Sequence, residues 1–350
     1  MPRLVSVATA VPAHRIEQTV AAAFARAKFA AALPDVERLM PVFTHAGIDT
    51  RYFAVPAEWF LQPHDLAERS AIYAVEATKL SQQACLAAIE QAGLAPAAID
   101  YIIYVNTTGL ATPSIDARLI NRLGLRPDVR RTPIWGLGCA GGVAGLSHAY
   151  HYALAHPGAR ILVVAAELCG LTFLPDDMST ANLVATALFA DGVAAAIVSG
   201  DEHAGPGLEI LGTRSRLYPD SLDVMGWTVL QEGLQVVFAQ RIPDIVRETA
   251  AAEIGDFLVA HGYAIADVDT FLLHPGGTKV LAAYAQALGL AADRLDLPRG
   301  VLRDYGNMSS ATALFVIERH LQEHGFAQGG LGLVSALGPG FSAESLLLRT

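Results

Sequence analysis

Three residues stand out as able to carry covalent chemistry: Cys139, His274 and Asn307. Cys139 lies in Gly136-Leu137-Gly138-Cys139-Ala140-Gly141-Gly142-Val143, with strand-like residues before it and a helical pattern after. That order puts the sulfur at a helix N-terminus, where unpaired amides and the dipole favour a thiolate. The flanking glycines let a substrate and backbone come close. The bland reading is a small buried hydrophobe in a tight turn. His274 ends an apolar strand and precedes Pro275-Gly276-Gly277, at the carboxyl end of a strand, where α/β sites collect. It can act as a base toward the thiol or donate to a developing oxyanion. The bland reading is a turn histidine. Asn307, in Tyr305-Gly306-Asn307-Met308-Ser309-Ser310, offers a neutral amide that holds an oxyanion without exchanging protons. Asn and Ser are equally ordinary just before a helix.

Other chemistries find less support. The chain has no G-x-S-x-G, no P-loop and no G-x-G-x-x-G. His148, His151 and His156 share one helix without a completing carboxylate or thiolate, so they read as a solvated face and no metal is expected. Asp191, in Ala190-Asp191-Gly192, reads as a turn former. Cys85, Cys139 and Cys169 include no C-x-x-C pair, which points to a reducing cytoplasm. A net charge of −10 argues against a nucleic-acid or anionic-membrane surface. Hydrophobic residues make up 53% of the chain, yet no long run is lipid-like, so no membrane insertion is expected. The best apolar run, Ile161 to Leu174, is broken by Glu167. Leu4–Ala10 reads as a first buried strand rather than a signal peptide.

The elements that must position these residues alternate, so an α/β layered fold is expected. Strands are expected at Leu4–Ala10, Asp100–Val105, up to Trp135, Ile161–Ala166, Val193–Ser199, Thr270–Leu273, Gly332–Ala336 and Ala343–Leu348. Helices are expected over Ser70–Ala92, Ile115–Leu123, Ala140–His156 and Ser309–His324, and another after His274 up to Gly289. A long helical stretch is expected from Leu230 to His261. Asp201–Gly207 is polar and rich in Gly and Pro, a seam between an N-terminal half (1–203) and a C-terminal half (204–350). Both halves share one plan: strand, Gly-rich turn with a reactive-type residue, helix.

The order Cys, His, Asn fits two enzyme classes. A papain-like protease carries its His about 130–150 residues downstream, but Cys139 lacks the C-G-S-C-W surround and lies far from the N-terminus. The other class is thiolase-fold condensation. Gly138-Cys139-Ala140-Gly141-Gly142, His274-Pro275-Gly276-Gly277, Gly306-Asn307-Met308-Ser309-Ser310 and Leu337-Gly338-Pro339-Gly340-Phe341 resemble the four landmarks of the chalcone synthase superfamily, the type III polyketide synthases. The resemblance runs over almost the whole chain. One landmark departs: the family's G-F-G-P-G reads Ala336-Leu337-Gly338-Pro339-Gly340.

The resemblance implies a thiolase-like layered αβαβα fold made of two similar halves, with the site between them. It implies that Cys139 takes a starter from acyl-CoA, and that His274 and Asn307 polarise thioester carbonyls and promote malonyl-CoA decarboxylation. Phe189 matches one gatekeeper position and Val236 the other, which widens the gate. Cys169, Thr172, Trp227 and Ser309 match cavity-lining positions, and Thr112 a residue that reaches into the partner's cavity of a homodimer. Read from the residues alone, Lys279 and Arg51 offer charge for CoA phosphates or are solvated surface charges. No cofactor is implied beyond the CoA thioesters. Residues 107–114 and Met225-Gly226-Trp227 resemble bacterial alkylpyrone and alkylresorcinol synthases, which implies a fatty acyl-CoA starter and a tri- or tetraketide product. The alternative is a single-condensation enzyme like ketoacyl-ACP synthase III.

Overall fold

One strand pattern occurs twice along the chain. The computed structural model describes residues 1–30, 32–202, 205–326 and 329–349. The first occurrence supplies β1 (Arg3–Ala10), β2 (His14–Glu17), β3 (Thr50–Phe53), β4 (Tyr101–Asn106), β5 (Arg130–Trp135), β6 (Arg160–Leu168) and β7 (Asp191–Ser199). The second supplies β8 (Leu208–Leu217), β9 (Met225–Val229), β10 (Leu234–Phe238), β11 (Thr270–Leu273), β12 (Leu331–Gly338) and β13 (Ser342–Arg349). In the first, β4 lies parallel to β6, and β6 and β7 run antiparallel, as do β7 and β1. In the second, β11 lies parallel to β12, and β12 and β13 run antiparallel, as do β13 and β8. Strand β5 extends the first set beside β4. Two residue pairs, Arg3↔Glu209 and Leu4↔Leu208, join β1 to β8, so one ladder of nine strands runs through both halves.

The helices are α1 (Gln18–Phe29), α2 (Val36–Leu39), α3 (Pro41–His45), α4 (Leu66–Gln91), α5 (Ile115–Leu123) and α6 (Gly141–Ala155), then α7 (Thr180–Leu188), α8 (Ile242–Val259), α9 (Thr278–Leu288), α10 (Asp296–Tyr305) and α11 (Thr312–His324). Side chains of a strand alternate between faces. Ile103 and Val105 of β4 therefore pack on α6 and α11, while Ile102 and Tyr104 pack under α4 and α5. The second half-sheet behaves alike: Val334 and Leu346 face α6 and α11, and Leu333 and Leu347 face α8 and α9. Helices on both faces make these strands apolar throughout. The resulting layers are α4/α5, sheet, α6/α11, sheet and α8/α9, the αβαβα order. Helix α5 stops where Gly124 turns left-handed. The expected seam at 203/204 lies outside the described residues.

Two expectations fail. Residues 230–241 are not helical. Met225–Val229 and Leu234–Phe238 pair as a hairpin, closed by Leu230 N donating to Gly233 O at 2.8 Å. Helix formers such as Leu230, Gln231 and Glu232 suggest helix, but Val236-Val237 is β-branched and the ladder overrides the weak local preference. Helix α8 starts only at Ile242. Asp191 does not sit in a turn either. It opens β7, fully buried, and accepts from Gly170 N at 2.6 Å and Ala54 N at 2.8 Å. His148, His151 and His156 are exposed on or just beyond α6, as expected. Among the described residues, no helix is long and apolar enough to cross a membrane.

Candidate active site

The nucleophile turn depends on one glycine. Gly138 holds φ +48, and a Cβ there would stand 2.5 Å from Cδ of Pro339. The Leu337–Phe341 loop thus packs directly on the residue before Cys139. Its altered landmark keeps this contact, and Leu337 lines the space beside the thiol. Cys139 sits in a single 3-10 turn, Gly138–Ala140, which feeds α6.

Both halves supply the site. Cys139 is 6% exposed and His274 4%. Sγ of Cys139 faces Oδ1 of Asn307 at 4.0 Å. Ser309 N donates to the same Oδ1 at 2.9 Å, with Ser309 at φ +47. A left-handed serine beside a reactive group is strain spent on orientation. That bond fixes the amide, and Nδ2 makes only a long 3.3 Å bond to Gly276 O. His274 follows β11, and its backbone N donates to Ser335 O of β12 at 2.8 Å. Both ring nitrogens of His274 are buried without a partner. A buried imidazole with neither nitrogen bonded faces a place where something else binds.

Electrostatics corrects one expectation. The helix N-terminus was to favour a thiolate, but burial outweighs it and pushes the Cys139 thiol up to about 12, against hydrogen bonds from Ser309 and Asn307. Burial also pushes His274 down to about 4. The resting pair is therefore thiol and neutral imidazole. A neutral imidazole can take a proton or donate its N–H to an oxyanion.

The residue that sequence reasoning passed over is Glu167. It interrupts an apolar strand, which is the signal that could have found it. Parity along β6 turns it toward the middle layer with Ile161, Val163 and Ala165. One carboxylate oxygen accepts from Thr107 N at 3.0 Å and Thr108 Oγ1 at 2.7 Å, the other from Ser310 Oγ at 2.5 Å. Thr107 Oγ1 in turn accepts from Gly138 N at 2.9 Å. Glu167 thereby ties the Asn307 segment to the Cys139 turn.

Burial raises Glu167 from 4.5 to about 7, with hydrogen bonds from Ser310, Thr108 and Thr107 opposing. The folded chain then binds this proton more tightly than the unfolded chain. Its contribution is fully present below pH 4.5 and is lost as pH rises through 7. The gap amounts to up to about 3 kcal/mol. Glu167→Gln is expected to remove that slope. Urea unfolding of both proteins at pH 5 and pH 8 reads it, and an identical pH dependence in the two would refute the assignment.

Two cavities adjoin the thiol, and a third shares two lining residues with one of them. Cys139, His274 and Asn307 together line the first, of about 20 Å³, with Met225, Phe238 and Leu337. The second, of about 30 Å³, is lined by Cys139, Ser309, Trp227, Met225, Phe189 and Val236. The third, of about 90 Å³, is lined by Phe189, Val236, Cys169, Thr172 and the rings of Phe24, Phe53, Phe60 and Phe173. Phe189 and Val236 belong to both the second and the third. The third emerges beside α1 at Val20, which is exposed. The β9–β10 hairpin walls the second, so the misread stretch is also the one that shapes the space by the thiol.

Two expected residues fall elsewhere. Thr112 is exposed in the loop between β4 and α5 and lines none of these cavities. Lys279 is exposed on the first turn of α9, next to Val280 of the first cavity. Arg51 is a correction. It lines the third cavity, but it is 2% exposed and its Nη1 donates to the carbonyls of Thr186 and Phe189. Burial denies it to a CoA phosphate in solvent. Among the described residues, no cluster of three His, Cys, Asp or Glu could hold a metal ion.

Comparison with known proteins gives consistent results. Residues 2–202 match the family model "Chalcone and stilbene synthases, N-terminal domain", and residues 209–350 match the C-terminal domain of the same family. The chain is 41% identical to a Bacillus subtilis (strain 168) protein provisionally assigned as a chalcone synthase, covering 99% of this chain and 98% of that one. It is 39% identical to the 1,3,6,8-tetrahydroxynaphthalene synthase of Streptomyces peucetius subsp. caesius, covering 98% and 92%. The crystal structure of the Streptomyces coelicolor A3(2) 1,3,6,8-tetrahydroxynaphthalene synthase, a bacterial type III polyketide synthase, superposes with a TM-score of 0.95 at 31% identity, over 99% of both chains.

Proposed function

The chain belongs to the chalcone and stilbene synthase family, the type III polyketide synthases, and from that premise we propose a fatty acyl-CoA starter and an alkylpyrone or alkylresorcinol product. The observation that carries the starter is the third cavity. It shares Phe189 and Val236 with the cavity beside the thiol, and it is an apolar, aromatic-lined space. An aliphatic chain entering it gains about 0.8 kcal/mol for each buried CH₂.

In this reading Cys139 attacks the thioester carbonyl of the starter, and its proton passes to His274. The acyl–sulfur bond to Cys139 forms as the bond to CoA breaks, and the CoA thiolate leaves with a proton. Malonyl-CoA then loses CO₂. The electron pair left behind forms an enolate whose oxygen is held by His274 N–H and Asn307 Nδ2. The enolate carbon attacks the acyl-Cys139 carbonyl, a carbon–carbon bond forms, and the Cys139 thiolate leaves. Repetition yields the tri- or tetraketide that cyclises. The chemistry needs no cofactor beyond the thioesters. Lys279, exposed beside the first cavity, suits the CoA phosphates. We further propose a cytoplasmic homodimer in which Thr112 meets the partner's cavity.

A second reading is favoured by the relatives named as 1,3,6,8-tetrahydroxynaphthalene synthases, whose product is a fused aromatic with no alkyl chain. Purified enzyme incubated with malonyl-CoA and starters from acetyl- to stearoyl-CoA, read by mass spectrometry, separates the two. Pyrones or resorcinols bearing the starter's alkyl chain support the fatty acyl reading. A naphthalene formed from malonyl-CoA alone, with every acyl starter ignored, would replace it.

A further inference from the structure

Burying an arginine is costly unless its charge has work to do. Arg51 lies in β3 and packs 5.5 Å from the Phe53 ring centroid, with Asp191 as its nearest countercharge. Its Nη1 donates to Thr186 O at 2.6 Å and to Phe189 O at 2.9 Å. Thr186 stands in the last turn of α7, where carbonyls lose their helical partners. In a continued helix the partner of Thr186 O would be Ala190 N, but that amide donates to Asn307 O at 2.9 Å instead. Asn307 N returns a bond to Leu188 O at 2.9 Å. The exchange makes a single parallel bridge between Phe189 and Asn307. Arg51 thus replaces the donor that α7 gives up to hold Asn307.

A second contact reaches the same place. The Arg51 stem lies against Gly306, where an added Cβ would stand 2.8 Å from Cγ and 2.9 Å from Cδ. Gly306 also holds φ +75. The guanidinium therefore holds the segment bridged to Asn307, and the stem packs on the residue before it.

We infer that Arg51 is a positioning residue that sets the Asn307 amide over the thiol through the Phe189 segment and Gly306. It touches no reacting atom, and although it also lines the third cavity, its effect on decarboxylation runs through Asn307. This rests on the reading of Asn307 as the holder of the enolate oxygen. A misplacement of about 1 Å at such a donor can cost about 100-fold in rate.

The experiment uses the full chain: wild type, Arg51→Met and Arg51→Lys, with Asn307→Ala as control. Two readouts are taken. One is steady-state conversion of malonyl-CoA to acetyl-CoA. The other is the rate of Cys139 alkylation by iodoacetamide, read by intact mass. Arg51→Met is expected to lose about 30-fold or more in kcat with KM for malonyl-CoA changed by less than about two-fold, and Arg51→Lys about three- to ten-fold. Cys139 alkylation is expected to stay within about two-fold of wild type in both. A purely architectural arginine would move both readouts together. An Arg51 variant that decarboxylates like wild type, or one that loses alkylation and decarboxylation in proportion, overturns the inference. If Arg51→Met does not fold, the Arg51→Lys kcat decides by the same criterion. If wild type itself forms no acetyl-CoA from malonyl-CoA, the enolate reading fails and the inference with it. A wild type that decarboxylates beside unaffected Arg51 variants sinks the inference alone.

Discussion

Cys139→Ala is expected to lose polyketide formation by about 10³-fold or more while still decarboxylating malonyl-CoA. The two activities separate because different groups serve them. Covalent capture of the starter needs the sulfur. In the proposed mechanism decarboxylation needs only donors at the developing enolate oxygen, a role given to His274, neutral because burial pushes it to about 4, and to Asn307, oriented by Ser309. Acetyl-CoA from malonyl-CoA, beside the absence of any condensed product, is the measurement. Retention of condensed product by Cys139→Ala would require another acyl acceptor and would remove Cys139 from the mechanism.

The second large effect concerns the passage between chambers. Val236→Phe adds a ring where Phe189 already stands, at the junction of the second and third cavities. A starter whose tail can no longer pass forfeits the burial of each methylene beyond the junction, about 0.8 kcal/mol apiece. Three or four such groups correspond to about 100-fold in kcat/KM. Long-chain starters are expected to fall by about that factor, with acetyl-CoA little affected. A kcat/KM profile across the starter series checks this. An unchanged preference for long chains would mean that the tail does not travel past Val236.

What the sequence disclosed follows from how local each signal is. Helices 115–123 and 141–155 and the strand 270–273 are set by apolar period and by stops such as Gly124, all within a few residues of chain. That Cys139, His274 and Asn307 share one site was legible only through the resemblance of their motifs to the family's landmarks, because each residue alone also reads as a turn or cap residue. The hairpin at 225–238 was not, because Leu230, Gln231 and Glu232 read as helix formers and its strands are specified by cross-strand pairs such as Val236↔Trp227. Arg51 and Glu167 were misread or overlooked for a related reason. Their meaning lies in partners far along the chain, Thr186 and Phe189 for one and Thr107 and Ser310 for the other. A charged residue in an apolar strand announces that it has partners but does not name them.

The order of the nine strands also bears on how the protein is made. Strand β1 is synthesised before the other described strands, yet it lies inside the sheet, between β7 and β8. Its main partner, β7, begins about 180 residues later. At bacterial and eukaryotic synthesis rates, β1 waits roughly 10–40 s before that partner exists. During that interval an apolar strand with both edges unpaired is exposed, the condition that recruits chaperones and seeds aggregation. The nascent N-terminal half thus carries an unpaired strand until β7 is made, and slower translation would lengthen that interval.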